Sequence, residues 1–307
     1  MSEALNRSVC LLPDEVTPLK AVGLVSLSVL TVVLNSLVII TIWKDPFKEL
    51  KGTAYCLILN LAVCDLLVGI PAELLFAVLI WSPGRGTLTY NIIVLTGYIT
   101  LYLVFIASIL TISGLAVERL LVLSSPSWSA DYQTTAYRTV GVLSIWTLAG
   151  LLTFLPVFGA KSSCHEYRIF IADAIGIPVL ILLFACYTRI FLLVRKEFNR
   201  DLRTIDQSSE LQPLTNNGQW RDRLKRRERQ VACSAFIIVG LFCLCWLPEL
   251  VLANIIEFCK DCIPEKSHLI FHIFIFAHPL ANPIAYALRT AKFRRALKKI
   301  FLCRAPL

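Results

Sequence analysis

Charge is what this chain lacks. Asp, Glu, Lys and Arg make up only 17% of its 307 residues, against about 25% in an average soluble domain. Set beside a hydrophobic fraction of 57% and a mean hydropathy of +0.70, the shortfall excludes a disordered chain, a basic nucleic-acid-binding protein and an ordinary cytosolic enzyme. Residues 1–18 are polar, with Glu3, Asp14 and Glu15, and have no apolar core of a cleavable signal peptide. No internal repeat or inverted symmetry is visible, which counts against a membrane transporter, the main competing class. Of the four histidines, His268 and His272 stand at i, i+4, but a third ligand and a His-Glu-x-x-His motif are both missing. No catalytic residue, metal site or bound cofactor is therefore assigned.

What the sequence does contain is long apolar runs. A helix crossing the hydrocarbon core needs roughly 20 mostly apolar residues. Seven runs meet that length: 19–43, 53–80, 91–123, 137–158, 168–194, 230–257 and 267–288. They predict an all-α seven-transmembrane helix bundle. Around it lie an N-terminal segment (1–18), a mobile cytoplasmic loop (about 195–229) and a C-terminal segment (289–307). Lys and Arg set the direction of threading. Of the 30, 23 fall in, or at the helix ends beside, the loops after spans 1 and 3, the segment between spans 5 and 6, and the tail. The N-terminus is thus expected outside and the C-terminus inside, in a multi-pass plasma membrane protein. Asn6-Arg7-Ser8 is then a glycosylation acceptor on the outer side. The net charge of +9 becomes an orientation signal and an attraction to anionic membrane lipids.

Polar groups inside lipid are costly and mark function. Asn35 in span 1, Asp65 in span 2, Ser108 in span 3 and Asn282 in span 7 lie at similar depths. They predict one hydrated polar core, either a hydrogen-bond network or a cation site. Arg119, in Glu118-Arg119-Leu120, and Glu228 both lie at the inner face and could pair. Pro248, in Cys245-Trp246-Leu247-Pro248, and Pro283, in Asn282-Pro283-Ile284-Ala285-Tyr286, mark kinks in spans 6 and 7.

These motifs resemble those of a rhodopsin-like (class A) G-protein-coupled receptor, in order and on the matching spans from about residue 20 to 303. They are Asn35, the run ending in Asp65, Glu118-Arg119-Leu120, Trp146, Tyr187, Cys245-Trp246-Leu247-Pro248 and Asn282 to Tyr286. The resemblance implies that an extracellular small-molecule or peptide ligand shifts a resting–active equilibrium. The inner end of span 6 then moves out and a heterotrimeric G protein enters. It also implies a short amphipathic eighth helix over 292–303, with palmitoylation at Cys303, and a sodium ion near Asp65.

The departures narrow the ligand. Monoamine receptors carry an Asp where this chain has Leu101. Opsins need a span-7 Lys, which residues 267–288 lack. The usual Cys at the top of span 3 is absent, Val94 lying about there. Cys10, Cys164, Cys259 and Cys262 remain outside as disulfide candidates, with Cys10–Cys164 and Cys259–Cys262 favoured among three connectivities. The distance from Pro178 to Tyr187 is one residue longer than the family spacing, which predicts a bulge or a shifted proline in span 5. Trp246, Glu249, Glu73 (two turns above Asp65, on nearly the same α-helical face) and His272 could line an outward pocket of negative charge. That pocket suits an amine or a peptide with a basic group. A lipid-activated or ligand-independent receptor is the alternative.

Overall fold

The computed structural model describes residues 18–73, 87–124, 134–158, 170–211, 240–241, 243–245, 247–248, 250–251, 254–255, 259, 277–285 and 290–302. Among them the regular structure is entirely helical. Helix α1 is Pro18–Lys44 and α2 is Thr53–Leu67, which runs on into a π-helical turn, Val68–Glu73. Helix α3 is Leu88–Ser124 and α4 is Thr135–Phe158. A second π-helical turn, Phe170–Gly176, leads into α5, Ile177–Leu211. Helical residues at 240–241, 243–245, 247–248, 250–251 and 254–255 belong to α6, and 277–285 to α7. Helix α8 is Ala291–Leu302. Five helices of the described residues are long and apolar enough to cross a membrane: Val22–Lys44, Thr53–Ile70, Ile99–Ser124, Thr135–Phe154 and Asp173–Arg200. They coincide with the first five expected runs.

Each helix shows which face it turns inward. In α1 the buried residues are Leu24, Ser28, Thr31, Asn35, Val38 and Thr41, spaced by three or four and hence on one stripe. Val22, Val29, Leu30 and Val33 on the other side are exposed. This is the inverse of a soluble helix: apolar chains face outward and the polar ones are inside. Helix α3 is buried most of the way round from Val104 to Thr111 and touches α2, α4 and α5, so it forms the axis of the bundle. Helix α4 is peripheral, with Val140, Leu143 and Leu151 exposed and Ala149 and Thr153 buried.

Close approach of α1 and α2 depends on Gly69. A Cβ there would stand 2.9 Å from Thr31 Cγ2 and 3.3 Å from Thr31 Cβ. The Ser28 hydroxyl donates to the Gly69 carbonyl at 2.7 Å. That carbonyl lies in the π turn, where Pro71 has no N–H to give and the helical ladder is rearranged. Pro71 is thus a third helix-distorting proline, alongside Pro248 and Pro283.

One expectation is corrected and another is narrowed. The cytoplasmic loop expected from residue 195 begins later, because α5 remains helical to Leu211. Polarity takes residues 195–211 out of the bilayer but not out of a helix, and no Gly or Pro interrupts the chain between Pro178 and Pro213. Of the two readings of span 5, a bulge or a shifted proline, the structure has no bulge between Pro178 and Tyr187, which is regular α-helix, and its π turn, Phe170–Gly176, lies ahead of the proline.

Candidate functional site

The centre of the bundle is a polar layer, and two of its four expected members meet directly. Asn282 Nδ2 donates to Asp65 Oδ2 at 2.9 Å, joining α7 to α2. Asp65 and Asn35 are fully buried. Asn35 does not reach for the carboxylate. Its Nδ2 donates to the Thr31 carbonyl at 3.0 Å and to the Pro279 carbonyl at 3.1 Å. The second bond has a cause in the sequence. Pro283 stands four residues after Pro279 and has no N–H, so the Pro279 carbonyl loses its intrahelical donor. A side chain from α1 fills that role. Ser108 is buried on α3.

A cation held at Asp65 would need a shell of oxygen ligands. At Asp65 Oδ2 the neighbour is instead an amide N–H. Other oxygens of the layer, Thr31 Oγ1 and Asn35 Oδ1, are buried without a hydrogen-bond partner among the described residues and are of the kind such a shell needs; no step below passes through a metal.

A second node lies nearby and was not expected from the sequence. Asn60 Nδ2 donates to Thr111 Oγ1 at 2.8 Å, and Asn60 Oδ1 accepts from Trp146 Nε1 at 2.9 Å. Both ends of one amide are used, and α2, α3 and α4 are tied at one point. The signal available was an Asn amid apolar residues in span 2, five positions before Asp65.

At the end of α3, Arg119 Nε lies 3.4 Å from Glu118 Oε2. Adjacent helical residues point about 100° apart, so the contact is sideways. Glu118 is buried and Arg119 half-buried. Leu120 is half-buried and packs on the core. Tyr187 of α5 is buried in the same core, Leu101 packs at its edge, Pro248 is half-buried and Pro283 is buried. Glu228, Trp246, Glu249, His272 and Tyr286 lie outside the described residues, as do Asn6, Cys10, Cys164, Cys262 and Cys303. The backbone of Glu73 ends the first π turn. There the α-helical spacing that aligned it with Asp65 no longer holds. Cys259 is disulfide-bonded, with its partner outside the described residues.

At the opposite end of the bundle from Glu118, Asn254 Nδ2 on α6 donates to Asp173 Oδ1 at 2.9 Å. Asp173, in the second π turn, was not among the expected pocket residues. It was nonetheless visible as the one acidic residue in the apolar run 168–194.

This arrangement has the layout of a known family. The model of the "7 transmembrane receptor (rhodopsin family)" matches residues 34–286. The chain belongs to the rhodopsin family of seven-transmembrane receptors. Among curated relatives, human adenosine receptor A2a is 25% identical over 305 residues, covering 90% of this chain and 70% of that receptor. A D(5)-like dopamine receptor of Takifugu rubripes is 28% identical over 319 residues, covering 91% of this chain and 66% of that protein. The protein is thus a G-protein-coupled receptor rather than an enzyme, and a multi-pass protein of the plasma membrane.

Proposed function

We propose that this receptor, threaded with its N-terminus outside, binds a ligand carrying a basic group between the outer ends of α5 and α6. Asp173, bridged to Asn254 at 2.9 Å, is the observation that carries this reading. A half-buried carboxylate there offers a charge-assisted hydrogen bond to an ammonium or amidine. The Asn254 amide fixes its rotamer. The dopamine receptor among the relatives takes an amine by its name. Leu101 stands where the family's amine-binding members have an Asp, so the acidic contact moves to span 5. Placement of the positively charged loops on the cytoplasmic side supports the threading.

Signal transfer follows from the layers between. A ligand that draws α5 and α6 together at Asp173 changes the balance of conformations at the far end of the same helices. Beside that end, on α3, the Glu118–Arg119 contact loosens, and Arg119 becomes available to a heterotrimeric G protein. Glu228 would add a second acidic hold on Arg119 in the resting state.

A G-protein biosensor panel in cells expressing the receptor, screened against amines, peptides and lipids, tests the reading. Active compounds should carry a basic nitrogen, and Asp173→Asn should lower their potency about tenfold, the worth of one charge-assisted bond. Hits confined to neutral lipids, or potency unchanged in Asp173→Asn at matched surface expression, would refute it.

A further inference from the structure

One amide ties α6 to the π turn ahead of α5, and only its donor side is spent. Asn254 Nδ2 donates to Asp173 Oδ1 at 2.9 Å and to the Leu250 carbonyl, one turn back, at 3.0 Å. An Asn amide has two N–H donors, so both are used. Each neighbour of that nitrogen is an acceptor, which also fixes the way the amide points. Two acceptors are left over, Asn254 Oδ1 and Asp173 Oδ2. Among the described residues neither receives a donor, and both side chains are half-buried rather than sealed.

The pair thus offers oxygens and no N–H. Its two free oxygens belong to groups already joined by a 2.9 Å bond, so one head group can reach both. The carboxylate charge calls for a cation. A tertiary ammonium has a single N–H and leaves one of the oxygens unpaired. A primary ammonium radiates its donors from one atom and holds its water tightly. A guanidinium or amidinium carries N–H donors on separate nitrogens of one plane, and a delocalised charge gives up water more easily. Asn254 also lines a recess of about 400 Å³, with Leu250, Val251, Ile255 and Cys259. Val251 and Ile255 are exposed there, so the body behind the head group is apolar.

We infer that Asn254 sets the head-group specificity of this receptor. The Asp173–Asn254 pair takes a guanidinium or amidinium, whose apolar body lies in the recess on α6. Asp173 supplies the charge, and Asn254 supplies a second acceptor without a second charge. This rests on the basic ligand proposed above and adds which base is preferred.

Four probes with one phenethyl body test it, their head groups being guanidine, primary amine, N,N-dimethylamine and, uncharged, alcohol. Their Kd values for the purified full-length receptor are read from ligand-dependent rises in unfolding temperature. The guanidine should bind tightest, about tenfold more tightly than the dimethylamine, the worth of one further charge-assisted hydrogen bond. Asn254→Leu, similar in size, removes the second acceptor and should bring the guanidine down to the level of the dimethylamine. Asp173→Asn should weaken all three bases. A guanidine no tighter than either amine in the wild type would overturn this specificity and leave the basic-ligand reading standing. So would a guanidine preference undiminished in Asn254→Leu. Bases that bind no better than the alcohol, or not at all, would overturn both. If Asn254→Leu does not fold, the wild-type ranking decides.

Discussion

Asn282 and Asp65, 217 positions apart in sequence, are joined by a 2.9 Å hydrogen bond between α7 and α2. Asp65 is 1% exposed, so its carboxylate relies on protein donors. Replacing Asn282 by Ala removes one of them from a buried acid, at a cost of about 1–3 kcal/mol. The purified Asn282→Ala receptor should therefore unfold at a clearly lower temperature than the wild type in the same detergent. Asn282→Asp would place two carboxyl groups together and should be worse still. A transition temperature unchanged in Asn282→Ala would show that the bond contributes nothing net.

Asn60 and Trp146 should behave as a unit. Trp146→Phe keeps an aromatic ring but removes the donor to Asn60 Oδ1, leaving a buried acceptor unpaired at about 1–3 kcal/mol. Asn60→Leu deletes the acceptor and also frees Thr111 Oγ1. The double variant should be more stable than the sum of the two losses, with a coupling of about 0.5–3 kcal/mol. Thermal or denaturant unfolding of the four receptors completes the cycle, and strict additivity would contradict the geometry.

Glycines in this bundle should respond to Ala in opposite directions. Gly69→Ala drives a methyl to 2.9 Å from Thr31 Cγ2 and must push α1 away from α2, lowering the unfolding temperature. Gly150→Ala meets nothing within 4 Å and should gain the usual helix preference of Ala over Gly, about 0.5–1 kcal/mol. The two variants assayed together also control for expression effects, since only the sign of the difference matters.

Glu118→Gln should raise ligand-free signalling. The contact it removes, 3.4 Å and poorly aligned, is worth about 0–1 kcal/mol, which changes a small active population severalfold at most. Basal output of a G-protein biosensor, compared at equal surface expression, is the measurement. Output equal to or below that of the wild type would mean that Glu118 does not restrain Arg119.

The bundle was readable in the sequence because lipid imposes a length on every span and allows few charges within it. Asp65 and Asn282 could be placed at one depth by counting residues, and they do touch. Counting failed where the helix was not α. The π turn at Val68–Glu73 breaks the spacing that linked Glu73 to Asp65, and its cue, Pro71, was a proline in an otherwise unbroken run. Hydropathy also misled at residues 195–211, since it reports where a helix leaves the bilayer and not where it ends. The partners of Asn60 were out of reach for a different reason. Thr111 and Trp146 lie on other helices, and nothing local in the chain announces a contact 51 or 86 residues away.

The bond from Asn35 to the Pro279 carbonyl gives the first span a responsibility disproportionate to its peripheral seat. A receptor truncated ahead of α2 would expose a bare peptide oxygen inside the seventh helix, at the turn that proline has already weakened. Splicing variants or fragments beginning after residue 44 should accordingly be retained and degraded, unless the missing first helix is co-expressed as a separate peptide to mend the break.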